Sequence, residues 1–245
     1  MPSIRLIAGL GNPGKQYEAT RHNAGFWLLE RFAIARGIAL KKDNHYQALI
    51  GRDAGGAWLV LPQTFMNASG GAVQLLAGFF KIPASEILVV HDELDFPPGV
   101  ARIKQGGGIA GHNGLRDISQ RLATHDYWRL RLGVGRPADA GAAADYVLQK
   151  PPREEREQID AAIGRAMELL PLALEGDLQT AMLKLHTQDK PESRNPAAEK
   201  PPRRKAEAAT NDTGAPDAAP AKADPPAAPK EEAGGALKGL TGRRK

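Results

Sequence analysis

The chain has 245 residues, of which 42% are hydrophobic, 25% charged and 5% aromatic, with 27 Gly, 19 Pro and no Cys. That length fits one or two domains, and the lack of Cys excludes a disulfide framework, a thiolate zinc site and a cysteine nucleophile, so a cytoplasmic location is expected. The net charge of +5 is uneven: residues 190–245 carry twelve basic and eight acidic side chains, and within the nearly neutral remainder residues 100–136 carry seven basic against two acidic, which suggests a phosphate-bearing ligand.

The opening stretch MPSIRLIAGLGNPG has one Arg and a short apolar run ending in Gly and Pro, too short for a signal peptide core or a membrane span. It predicts a first strand over residues 4–8. A helix is expected at 23–36, strands at 47–50 and 57–61, and a second helix at 66–80. The apolar run 86–91 reads as a buried strand. A short strand follows at 102–104, then a helix at 113–122, a strand at 128–134, and helices at 154–174 and 178–186. Strands interleaved with helices predict an α/β fold, a single globular domain over residues 1–189 with a mixed, mostly parallel central sheet flanked by helices. Past residue 190 there is no aromatic side chain, the only large aliphatics are Leu237 and Leu240, and nine of the prolines fall there. Such a segment cannot bury enough apolar surface to offset its ordering entropy, so residues 190–245 are expected to form a disordered C-terminal tail.

Gly9-Leu10-Gly11-Asn12-Pro13-Gly14 follows the first strand and matches the dinucleotide pattern G-x-G-x-x-G letter for letter. The context is wrong. Pro13 lacks an N–H and holds Asn12 extended, so no helix can run through the turn, and a helix rather than a second strand comes next. The turn instead presents the Asn12 amide at the C-terminal end of a strand, where α/β proteins place their sites. His22 falls at the start of the following helix, just after the candidate cap Thr20, where the helix N-terminus favours a neutral imidazole.

Three further segments carry chemistry. Residues 62–70 (PQTFMNASG) end a strand and open a helix, offering Thr64, Asn67 and Ser69 for capping or ligand contacts. His91-Asp92-Glu93-Leu94-Asp95 sets three carboxylates just past a buried strand, where one of them can orient an imidazole. His91, Asp92 and Asp95 also raise a metal, but there is no H-x-x-x-H or Cys partner, and no metal is expected. Residues 106–117 (GGGIAGHNGLRD) form a glycine-rich approach to a helix N-terminus inside the basic segment, suited to a phosphate or a sugar.

Taken in order, GLGNPG, Thr20-Arg21-His22-Asn23, TFMNASG, HDELD and GHNGLRD strongly resemble bacterial peptidyl-tRNA hydrolases, over residues 4 to about 186. The tail has no counterpart in the compact family pattern. Ala110 stands where the family's loop usually carries another Gly, and Leu61 where Lys or Val is common. The resemblance implies hydrolysis of the ester joining a peptide to the 3'-terminal ribose of tRNA. It implies that His22 is the general base, oriented by Asp92, and that Asn12 holds substrate or water and helps stabilise the oxyanion. By the same resemblance Asn67 and Asn113 bind the peptide backbone and the acceptor end, Tyr17 and Met66 line the cleft, and Lys104 and Arg131 contact tRNA phosphates. The partner implied is peptidyl-tRNA, bound by a monomer with no membrane contact and no cofactor or metal.

The chemistry is coherent on its own terms, because an ester is already activated and one positioned base with amide donors can suffice. A serine hydrolase would need Ser69 beside His22, and there is no G-x-S-x-G elbow. The alternative from another class is a non-catalytic RNA-binding relative of the same fold. Loss of His22, Asp92 or Asn12 would mark it, and all three are present.

Overall fold

The computed structural model describes residues 3–188, so the tail expected over 190–245 lies outside the described residues. In chain order the elements are β1 (Leu6–Gly9), α1 (Ala24–Ala35), β2 (Lys41–Asp43), β3 (Ala48–Arg52), β4 (Trp58–Pro62), α2 (Gly70–Phe79), β5 (Ile87–Glu93), β6 (Ala101–Gln105), α3 (Asn113–Leu122), β7 (Trp128–Gly133), α4 (Ala143–Val147), α5 (Arg153–Leu174) and α6 (Leu178–Gln188). The strands form one sheet in the order β2-β3-β4-β1-β5-β7-β6. The four central strands β4, β1, β5 and β7 run parallel, while β2, β3 and β6 pair antiparallel at the two sides.

Strand β5 shows why the centre is parallel and doubly covered. All seven of its residues are buried, as expected of a strand with helices over both faces. Its side chains alternate, with Leu88 and Val90 packing in the cluster built with α1, α5 and α6, and Ile87 and Val89 in the cluster built with α2 and α3. Each fully buried aliphatic side chain of this kind contributes about 1.5–3 kcal/mol by withdrawing apolar surface from water.

The chain leaves β1 through α1 toward β4 on one side and returns later to β5 on the other. The carboxyl ends of β1, β4 and β5 therefore share one rim at the point where the strand order switches, the usual ligand position in open α/β sheets. The approach of α1 to that rim depends on glycine. A Cβ on Gly25 would lie 2.3 Å from Val90 O and 2.4 Å from Leu10 N, and one on Gly11 would lie 2.6 Å from the Phe26 ring. Gly9 and Gly11 of the GLGNPG turn thus serve strand-to-helix packing, and the first α-helix after β1 begins only at Ala24. The dinucleotide geometry is absent there, as Pro13 requires.

Two elements carry little sequence signal, and the sequence pattern does not predict them. Strand β2 (KKD) is a short polar edge, and α4 (AADYV) is a five-residue helical turn without hydrophobic periodicity. No helix among the described residues is long and apolar enough to cross a membrane.

Candidate active site

His22 sits in a 3-10 turn, Arg21–Asn23, that precedes α1. Thr20 before it makes no side-chain cap; its hydroxyl donates instead to Tyr17 O at 2.8 Å. Asp92 enters from the end of β5 and is 3% exposed. Its two carboxylate oxygens lie 2.9 and 3.0 Å from His22 Nδ1, so Nδ1 carries the proton and Nε2 is left as the basic nitrogen.

A second imidazole completes the cluster. His112 Nε2 lies 3.1 Å from Asp92 Oδ1, while its Nδ1 accepts the Gly114 and Leu115 N–H groups as the N-cap of α3. An Nδ1 that accepts must be unprotonated, so Nε2 carries the hydrogen and donates to Asp92. The donor atoms of His22, Asp92 and His112 lie within 4.8 Å of one another, but both histidines direct N–H groups rather than lone pairs at the carboxylate. That chemistry fits a hydrogen-bonded trio and not a metal cage.

Electrostatics follow from the same contacts. Burial alone would push the His22 pKa down, but the charge and hydrogen bond of Asp92 outweigh it and the net shift is upward. A helix start favours the neutral ring, and here the closer carboxylate prevails over it. Burial alone would raise the Asp92 carboxyl, yet the two imidazoles hold it well below its ordinary range. His91, also in β5, behaves oppositely: burial, with His112 nearby, lowers its pKa to about 3. Its Nδ1 lies 2.6 Å from the Asp92 carbonyl, and its buried Nε2 has no partner among the described residues.

Asn12 is fixed from two sides. Its Oδ1 accepts the Met66 N–H at 2.7 Å, and its backbone exchanges hydrogen bonds of 2.9 and 3.0 Å with the side chain of Asn23. With the carbonyl oxygen engaged, the Nδ2 donors are the part of the amide left for a ligand. Asn12, Tyr17, His22, Met66, Asn67 and Asn113 line one cavity of about 280 Å³, with Phe65 and Leu148 at its side. Of these, Asn67 and Asn113 are exposed and Met66 is buried. A second cavity of about 330 Å³ lies on the Asp92 side of His22, walled by Leu94, Ile109 and Ala110. Both cavities share Ala144 and Val147. Ser69 has its hydroxyl on Met66 O at 2.9 Å and is fully buried, which gives no support to a serine nucleophile.

Lys104 and Arg131 line neither cavity. They occupy neighbouring strands, where Arg102 pairs in register with Arg131 and Lys104 with Arg129. All four cations therefore share one face of the β6–β7 pair, while Ala101, Ile103, Leu130 and Leu132 pack into the core from the other. Like charges directly opposite cost stability, so this face is built against its own packing interest. Arg131 lies over Phe96 and 3.9 Å from Glu93, while Arg129 is buried and donates to the carbonyls of Gly106, Gly107 and Gly108. The residues sequence reasoning missed are His112, Asn23 and Arg129. The first two stand inside the motifs, but their roles depend on bonds to Asp92 and Asn12, 20 and 11 residues away.

With this geometry in view, the chain can be set beside known proteins. The family profile for peptidyl-tRNA hydrolase matches residues 6–193. The chain is 55% identical over 192 residues to the peptidyl-tRNA hydrolase of Methylobacillus flagellatus, covering 78% of this chain and 100% of that one. It is 57% identical over 177 residues to that of Thiobacillus denitrificans, covering 72% and 87%. Among solved structures, the peptidyl-tRNA hydrolase of Acinetobacter baumannii superposes with a TM-score of 0.72 at 44% identity, covering 74% of this chain and 94% of that one.

Proposed function

The chain belongs to the peptidyl-tRNA hydrolase family and hydrolyses peptidyl-tRNA, and we propose that it does so with water activated by His22. The observation that carries this reading is the bond from His22 Nδ1 to Asp92. It orients the ring and stabilises the imidazolium that forms when Nε2 takes a proton.

In the first step Nε2 removes a proton from water as the water oxygen attacks the ester carbonyl. Asn12 Nδ2 donates to the oxygen that becomes negative. The bond to the ribose oxygen then breaks, and the imidazolium returns its proton to that leaving oxygen, so the base is regenerated and the peptide departs as a carboxylic acid that gives up its remaining proton to solvent. A positioned base is worth about 10²- to 10⁴-fold and an amide donor at the oxyanion about 10² to 10³. Nothing in this sequence of steps requires a cofactor. His112 cannot substitute as base, because its lone pair holds the start of α3. Asn67 and Asn113, with Tyr17 and Met66, take the peptide and the acceptor end in the 280 Å³ cavity. Lys104 and Arg131 take tRNA phosphates. Residues 1–189 act as the catalytic domain, as a cytoplasmic monomer, and truncation after Asp189 should leave turnover unchanged.

The deciding experiment is release of peptide from an N-blocked aminoacyl-tRNA, with and without EDTA. Fast release that survives EDTA, collapses in His22→Ala and falls less in Asp92→Asn is the expected result. Release that persists in His22→Ala would mean another group is the base. Tight tRNA binding without any release would favour a binding protein.

A further inference from the structure

Arg21, the residue before His22, is 3% exposed, and its guanidinium reaches into the segment that roofs the site. Its Nη1 donates to the carbonyls of Tyr146 and Gln149 at 3.4 and 3.3 Å, and its Nη2 lies 2.7 Å from Glu155 in the first turn of α5. The guanidinium stacks on the Tyr146 ring, 4.0 Å from its centroid. The Arg21 backbone N–H adds a bond of 3.1 Å to Gln149 O. Tyr146 in turn donates its hydroxyl to Val134 O at 3.0 Å, just past the end of β7.

The roof is otherwise weakly held. Gly141, Ala143, Ala144 and Val147 wall the cavity on the Asp92 side of His22, and Ala144, Val147 and Leu148 wall the other. In α4 only Val147 is buried, so little apolar surface fixes the height of this segment. The two terminal nitrogens of a planar guanidinium, matched to two carbonyls and a carboxylate with the plane on an aromatic face, supply the geometric constraint that burial does not.

We propose that Arg21 is a positioning residue, fixing residues 140–149 at a set height above His22 and thereby setting the width of the two cavities that flank it. This rests on the reading of His22 as the reacting centre. The Arg21 guanidinium bonds Tyr146, Gln149 and Glu155 rather than His22 or Asp92, so its side chain governs fit rather than proton transfer.

The test is Arg21→Met, assayed by steady-state hydrolysis and by amide hydrogen exchange of the full chain. Expected are a KM raised about tenfold with kcat within about threefold, and an unmoved acidic limb of the pH–rate profile. Exchange at residues 140–149 should quicken about tenfold, with β1 and β5 unchanged. Glu155→Gln leaves Arg21 in place and weakens one of its bonds; it should move KM and exchange in the same direction by less, and it carries the test if Arg21→Met does not fold. A fall in kcat at unchanged KM, or unaltered exchange over 140–149, would overturn the proposal. A wild-type chain that does not cleave the tRNA ester would overturn the hydrolase reading instead, and the exchange data would still decide the role of Arg21.

Discussion

His112 Nε2 stands 3.1 Å from Asp92 Oδ1 while its Nδ1 caps α3, so one imidazole ties the start of that helix to the end of β5. Its two nitrogens serve two separable purposes, one chemical and one structural.

Replacing His112 with Asn keeps a short side-chain acceptor for the cap but withdraws the donor from Asp92. The melting temperature should stay within a few degrees and kcat should fall about tenfold, one hydrogen bond to a charged group being worth roughly 1.5–3 kcal/mol. With one donor fewer, Asp92 attracts the His22 proton more strongly, so the acidic limb of the pH–rate profile should move to higher pH. His112→Ala should show the same kinetics with an added destabilisation of about 1 kcal/mol from the missing cap. Unchanged kinetics in both variants would show that Asp92 does not depend on His112.

His91 makes the fold sensitive to acid. Its pKa falls to about 3 in the folded chain, against about 6.5 unfolded, so between those values the unfolded state binds the extra proton and stability falls as pH falls. At pH 5 the decrease amounts to about 2 kcal/mol. Two neighbours leave this window clear. The raised pKa of His22 gives stabilisation that is complete below its unfolded value and lost only as pH rises through the folded one. The depressed Asp92 gives stabilisation that is complete above its unfolded value and lost only as pH falls through the folded one. His91→Asn can keep the donor to the Asp92 carbonyl without the titrating nitrogen. Denaturant melts at pH 6 and pH 5 should differ less in the variant than in the parent, and an equal difference would refute the assignment.

On the basic face, Lys104→Ala and Arg131→Ala together should weaken tRNA binding and reduce the slope of log K against log salt by roughly 1.5–2, close to one counterion for each phosphate no longer neutralised. Arg131 also packs on Phe96, so a melting control separates the effect of packing from that of charge. An unaltered slope would show that these two residues do not neutralise tRNA phosphates.

Ala110 adopts φ of 46°, in the left-handed region, where a side chain costs roughly 1–2 kcal/mol. Ala110→Gly should therefore stabilise the chain by about 0.5–1 kcal/mol, net of the entropy that glycine adds to the unfolded state. Thermal melting would read this as a rise of a few degrees, and a fall would refute it.

The polar residues at strand ends are legible in the sequence because their neighbours are punctuated by Gly, Pro and buried apolar runs that fix where strands stop. Asn12 and Asp92 stand out in this way, His22 stands out at the start of the first helical segment, and the α/β sheet is legible with them. What stays hidden depends on distant partners. Arg129 reads in sequence as one more charge of a basic segment, yet it is buried beneath a glycine loop whose carbonyls it holds. The small-residue roof around α4 has no period to detect, and His112 becomes intelligible only once β5 is placed beside it.

Gly25 lines neither cavity and carries no charge, yet any side chain there would collide with Val90 O and Leu10 N. Relief requires α1 to lift from the sheet, and the turn bearing His22 would move with it, away from Asp92. In a saturation screen for abolished turnover, Gly25 would accordingly score alongside His22, through loss of folded protein as well as through loss of the bond to Asp92. A map of inactivating substitutions drawn from such a screen would place the edge of the catalytic centre within a helix that takes no part in the chemistry.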